Sequence, residues 1–248
     1  MTWFRLVRAE LRKITTTRLL WGFLAVLALI AALNASLIIL ATDADGTKGF
    51  IATAEDQRTL LAFAYNALFG TALFGAIAAA REYAHNTIVP TMLLAPRRHV
   101  AMLAQFAAVL VAGAVLGLAG GSLVMIAGAI SMPFADTTLL LSVGTIVQLL
   151  AATTFAGSAG AVLGAGLGAI VRNPGGAVTS VVLVVFIGPP MVVQMTTAAA
   201  SWVPQTLAAS LSGIAGGSGA AAAVAVLAIW ALVPAVIALG VVSRRDVV

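Results

Sequence analysis

The chain has 248 residues, of which 62% are hydrophobic and 8% charged, against a usual charged share of about 25%. Its mean hydropathy of +1.11 leaves too little polar surface to face water all round, so lipid is its main solvent and an ordinary soluble domain is excluded. The absence of cysteine excludes disulfides, thiol catalysis and Cys-bound metals.

The apolar mass is Ala, Leu, Val and Gly, with 6% aromatics, which favours packed helices over a barrel of alternating strands. The fold class read from this is all-α, with roughly six spans of about 20 residues. Residues 1–18 form an amphipathic interfacial segment and 19–248 a six-span membrane domain. Within the first, Trp3, Leu6, Val7, Leu11 and Ile14 share one helical side, and Arg5, Arg8 and Arg12 the other. Such a helix lies in the membrane interface. The first span, Leu19 to Ala41, is longer than a signal-peptide core of about 7–15 residues and reads as a retained anchor.

A charged stretch from Thr42 to Arg58 precedes span two, Thr59 to Ala80. The loop from Arg81 to His99 leads to span three, Val100 to Ile130, and a short turn containing Asp136 leads to span four, Leu139 to Val171. Arg172-Asn173-Pro174 ends that span, because proline disfavours helix at the residue before it. Span five, Gly176 to Thr196, is interrupted by Gly188-Pro189-Pro190. Ala198 to Gly219 is apolar but broken, and reads as interfacial or re-entrant; span six is Ala220 to Val242.

Six spans put both termini on one side. The amino end, the Arg81–His99 loop, Arg172, Arg244 and Arg245 then hold eleven of the 13 cations, and only Lys48 and Arg58 lie opposite. The positive-inside bias makes the crowded side cytoplasmic. The net charge of +5 is thus a topology signal with attraction to anionic lipid, and nucleic acid is not the partner it indicates.

The Arg81–His99 loop mixes charged ends with Ile88, Val89, Met92, Leu93 and Leu94, the pattern of a short amphipathic helix along the membrane. Its order, Glu82-Tyr83-Ala84-His85-Asn86-Thr87-Ile88 and then Leu93-Leu94-Ala95-Pro96-Arg97-Arg98, resembles the bacterial ABC-2 type permease family, as does Glu10-Leu11-Arg12-Lys13 ahead of span one. Asn86 stands where that family usually has glycine; asparagine is the next residue most able to take a left-handed backbone. The resemblance implies the membrane subunit of an ATP-driven exporter in the bacterial cell membrane. A cytoplasmic coupling helix and the interfacial helix would touch a separate ABC ATPase, a second permease would complete a homo- or heterodimer, and re-entrant external helices would precede the last span. It assigns ATPase coupling to Glu10, Lys13, Arg81, Glu82, Tyr83, His85, Asn86, Thr87, Pro96, Arg97 and Arg98, with Glu82 pairing to a basic residue of the ATPase groove. It places a substrate path near Asn34, Tyr65, Asn66, Phe69, Met191 and Gln194, between the two permeases. ATP and magnesium would be bound by the partner, since Lys13 and Lys48 follow Arg12 and Thr47 and neither completes a P-loop.

Gly113, Gly117 and Gly121 in span three, and Gly160, Gly164 and Gly168 in span four, recur at the interval that lets helix backbones approach closely. Packing of spans three and four on each other is the first expectation, a dimer seam the second. No charged residue falls inside a span on these boundaries, which argues against an ion-coupled carrier and suits an amphipathic, lipidic or drug-like cargo. An intramembrane protease would require Ser158 as nucleophile with His85 or His99 at membrane depth, and a non-transporting scaffold or immunity-type protein is the third class. His85 and Glu82 could share a helical face, but the histidine spacing is poor for a metal site.

Overall fold

A computed structural model describes residues 3–42, 47–84, 98–214 and 219–244. Among these residues every regular element is helical, and six helices are long and apolar enough to cross a membrane. The protein is therefore of the multi-pass membrane type.

Helix α1 (Trp3–Thr16) turns at Thr17 into α2 (Arg18–Leu40), the first span. Lys48 closes the far end of α2 by donating from Nζ to the carbonyls of Ile38 at 3.0 Å and Ile39 at 2.6 Å, groups that a helix C-terminus leaves without partners. The second span departs from expectation. It opens with a separate helix, α3 (Ala54–Leu61), breaks at residues 62–63, and continues as α4 (Ala64–Ala84). The charged residues 54–58 are helical because Thr53 and Asp56 form a capping box: Asp56 N donates to Thr53 Oγ1, and Thr53 N to Asp56 Oδ2.

The third span is α5 (Arg98–Ser131) and the fourth is α6 (Val143–Val171). The fourth starts later than expected because Thr138 and Leu140 are engaged elsewhere. Fully buried Gln57 donates to the carbonyls of Thr138 and Ile51, and accepts from Leu140 N. Ser142 then caps α6 by accepting from Thr145 N, and Arg172 ends it in a left-handed conformation, φ 59°.

The fifth span is one helical path of three parts: α7 (Pro174–Val181), a π-helical segment (Val182–Ile187) and α8 (Gly188–Met195). The sequence reads Gly188-Pro189-Pro190 as an interruption, and the wider π turn absorbs it. Neither proline can donate to the carbonyl of Val185, four and five residues back. The Tyr65 hydroxyl of α4 supplies the missing donor at 3.2 Å. A 3-10 turn (Thr197–Trp202) and α9 (Pro204–Leu211) follow, and α10 (Ala220–Arg244) is the sixth span.

Helix α6 is the centre of the bundle and uses two small-residue faces. Gly160, Gly164 and Gly168 lie on the backbones of Leu68, Ala72 and Ala76 of α4, so α4 and α6 run parallel in contact. The partner of this triplet is thus the second span and not the third. A second face, Thr153, Gly157 and Ala161, receives Gly113, Gly117 and Gly121 of the antiparallel α5, and Gly166 meets Pro234 and Ala235 of α10. Both glycine series are used inside the chain. Helix α2 lies on the outside, packed mainly on α5, with Trp21, Leu29, Leu33 and Leu37 more than half exposed.

A Cβ at position 164 would run into the Ala72 carbonyl, backbone that cannot step aside. Gly164→Ala should cost about 1–3 kcal/mol. At Gly22, where a Cβ meets nothing within 4 Å, the same change should be neutral or stabilising by up to about 1 kcal/mol. Thermal unfolding of the two variants in detergent distinguishes them.

Candidate functional site

Lys13, in the first of the two stretches that carry the family resemblance, and Glu82, the opening residue of the second, meet at one end of the bundle. Helix α1 turns a stripe of Leu6, Glu10 and Ile14 toward the bundle, with Leu6 and Glu10 buried, and packs on α5. Part of the face expected to enter lipid therefore faces protein, while Trp3 and Phe4 remain exposed. Lys13 Nζ donates to Glu10 Oε1 at 2.6 Å and to Glu82 Oε1 at 3.2 Å. Glu82 belongs to the last turn of α4, so this triad ties the amino-terminal helix to the second span. The basic partner expected for Glu82 on another chain is supplied, at least in part, by its own Lys13. Burial draws the Lys13 ammonium down, but the hydrogen bond to Glu10 and the charges of Glu82 and Glu10 outweigh it, leaving its pKa above the usual lysine value.

Beside the triad, Arg172 at the end of α6 holds its guanidinium over the Tyr83 ring, 5.1 Å from the centroid. Arg172 Nε and Nη2 and the Tyr83 hydroxyl are buried without a hydrogen-bond partner among the described residues. The sequence reads Arg172 as a span end and one of the cations of the crowded side; its Tyr83 contact joins residues far apart in the chain and leaves no local signal. Arg81 is half-buried. His85, Asn86, Thr87, Pro96 and Arg97 lie outside the described residues, and Arg98 begins α5.

The six residues expected along a substrate path separate. Tyr65 and Phe69 face the fifth span, Tyr65 through Val185 and Phe69 through Phe186, whose ring centroid is 5.3 Å away. Gln205 of α9 donates to the Tyr65 hydroxyl at 3.2 Å. Asn66, Met191 and Gln194 are exposed. Asn34 sits on α2 with its Oδ1 buried and unpartnered; α2 and the fifth span each pack on α4 and share no extensive contact.

At the opposite end of the bundle Arg58 was read only as a minority cation. It is a clamp: Nε donates to Ser212 O at 2.8 Å and Nη2 to Gln148 Oε1 at 2.6 Å, while Gln148 donates to Leu211 O. Ser158 donates to the Thr154 carbonyl within α6, and His99 is exposed at the start of α5, so no base meets that hydroxyl among the described residues. No group of three potential metal ligands occurs among the described residues either. Compared with protein-family models and with curated proteins, the chain finds no match.

Tyr65→Phe should destabilise the protein by about 1–2 kcal/mol, because it leaves the Val185 carbonyl unpaired in an apolar setting; amide exchange in residues 182–190 should rise. Lys13 gives a pH dependence. A raised lysine pKa stabilises fully below the unfolded value, about 10.4, and that stabilisation is lost as pH rises through the folded value. A nitroxide on Ala9→Cys, unique because the chain has no cysteine, should keep its mobility from neutral pH to about pH 10 and loosen above it. With Lys13→Met added, the label should be mobile already at neutral pH and show no such step.

Proposed function

We propose that this chain is the membrane subunit of an ATP-driven transporter of the ABC-2 type, which moves an amphipathic, lipidic or drug-like substrate outward using a separate ATPase chain and a second permease. The observation that carries this reading is the Glu10–Lys13–Glu82 triad. Lys13 and Glu82, one residue from each segment that resembles the family, are 69 positions apart in the chain and ion-paired. A cytoplasmic ATPase pressing on the segment after Ala84 would move α1 and α4 together as one body. The close backbone contact of α4 with α6 would pass that displacement into the centre of the bundle.

On this reading the end carrying Lys13, Arg81 and Arg172 is cytoplasmic and both termini lie there. The end with Lys48, Arg58 and α9 is external, and the segment 197–211 is the re-entrant part. Trp230, ten residues into α10, donates to the carbonyl of Trp202, which supports that segment entering the membrane depth. Exposed Asn66, Met191 and Gln194 would then face the second permease across the path.

Co-expression with ATPase chains that carry Walker motifs tests the reading. A stable complex whose ATPase rate rises with substrate is expected. Glu82→Lys should cut that stimulation by at least about tenfold, the worth of roughly 1.4 kcal/mol of coupling, while the complex still assembles. A chain that recruits no ATPase in cells and in detergent extract belongs to the scaffold class instead.

A further inference from the structure

A cleft of ≈350 Å³ opens at the Arg58 end, where the first turns of α3 and α6 meet the residue just past α9, Gly213. Its lining carries one carboxylate, Glu55, and one guanidinium, Arg58, a turn apart on α3. The two do not pair with each other, and neither forms an ion pair with any other described residue. Glu55 is exposed, and the fold uses only its backbone carbonyl, which accepts from Thr59.

Arg58 is fixed before any ligand arrives. Ser212 O holds Nε and Gln148 Oε1 holds Nη2, while Gly213, φ 70°, lies against the guanidinium where a Cβ would collide with it. Nη1 makes no hydrogen bond among the described residues, so a half-buried cation keeps donors to spare and no counter-ion. The other wall is the first turn of α6, where the Ser142 and Thr145 hydroxyls stand 3.0 Å apart and the helix dipole favours an anion. Leu140 lines the cleft at 47% exposure, and Val143 and Val147, 77% and 59% exposed, continue an open apolar surface along α6. Helix α6 has 29 residues, about 43 Å against a hydrocarbon layer of about 30 Å, which lets its first turn stand at headgroup depth.

We propose that this cleft holds the headgroup of a zwitterionic phospholipid of the phosphoethanolamine type. The phosphate meets Arg58 and the Ser142–Thr145 turn, the ammonium meets Glu55, and an acyl chain lies along Leu140, Val143 and Val147. Both signs of charge are needed to choose this occupant. A simple anion would face Glu55 and a simple cation would face Arg58, whereas a headgroup with both charges on one short arm answers each. A primary ammonium donates hydrogen bonds to the carboxylate that a choline cannot, and a soluble zwitterion would leave the open apolar surface uncovered. The lipid braces α3 against α6 and the end of α9, whichever cargo the protein handles, so the inference does not rest on the transport reading.

The full chain, reconstituted in phosphatidylglycerol nanodiscs with a trace of phosphatidylethanolamine, tests this by carbodiimide coupling, which joins a lipid amine to a carboxylate it already touches. Mass mapping should find the lipid adduct on Glu55 in about tenfold excess over Asp136, an exposed carboxylate at the same end. Short-chain phosphatidylethanolamine should replace it with its own lighter adduct, and diacylglycerol should leave it unchanged. Glu55→Gln should lower the retention of phosphatidylethanolamine over phosphatidylglycerol in native mass spectra about fivefold, the upper worth of one solvated ion pair. Equal adducts on Glu55 and Asp136 would mean bulk lipid only and overturn the proposal. Displacement by diacylglycerol, or an unchanged preference in Glu55→Gln, would overturn it too. Free phosphoethanolamine coupling to Glu55 in preference to Asp136 would assign the cleft to a soluble zwitterion instead. The map is read on the unmodified chain, so misfolding of a variant does not obscure the outcome.

Discussion

The contact on which the bundle depends is the parallel crossing of α4 and α6 at backbone distance. In lipid there is no hydrophobic gain from bringing two helices together, so association rests on dispersion between closely fitted surfaces. Gly160, Gly164 and Gly168 remove the side chains that would hold α6 away from Leu68, Ala72 and Ala76. Once these two helices touch, α6 still has a second small face for α5 and a third position, Gly166, for α10. The outer helices then need only one packed side each. That is why α2, α8 and α10 leave large apolar residues exposed, a surface that suits lipid or a second subunit.

A second requirement follows from the same solvent. Any backbone group that a proline strands in the membrane must find a partner within the protein. The paired prolines of the fifth span strand the Val185 carbonyl, and Tyr65 reaches across from α4 to satisfy it. Tyr65 in turn accepts from Gln205, so a break in one span fixes the position of α9. The neighbouring carbonyls at the end of α9 are met by Gln148 and Arg58. Tyr65, which the sequence offers as a path residue, is here a hydrogen-bond closure of irregular backbone.

Six spans, their approximate ends and the amphipathic first helix were legible because they depend on hydropathy and helical period, which are local. The glycine series announced close contacts, but spacing defines a face and not a partner. Gly160, Gly164 and Gly168 therefore turned out to meet the second span where the third was expected. The helix at 54–61 was hidden by its charges, although Thr53 and Asp56 at capping-box spacing were a readable sign. The Lys13–Glu82 pair and the Arg172–Tyr83 stack left no such sign, because each is decided by which distant helix arrives beside it.

The two ends of the bundle are held in different ways. At the Arg58 end, buried Gln57 alone makes three hydrogen bonds to connecting backbone, and Lys48, Arg58 and Gln148 close carbonyls at the ends of two further helices, α2 and α9. At the Glu82 end the polar ties include an ion triad whose lysine side chain is 42% exposed and a cation over a ring, beside the packing of α1 on α5; Arg172 and Tyr83 there hold buried donors without partners, as Ser212 Oγ does at the other end. The carboxylates of the triad are only 9% and 15% exposed, so breaking it costs more than breaking a solvated pair, while unpaired buried donors raise the free energy of the state that holds them. A displacement applied to the bundle will accordingly be taken up where the ties cost least to rearrange.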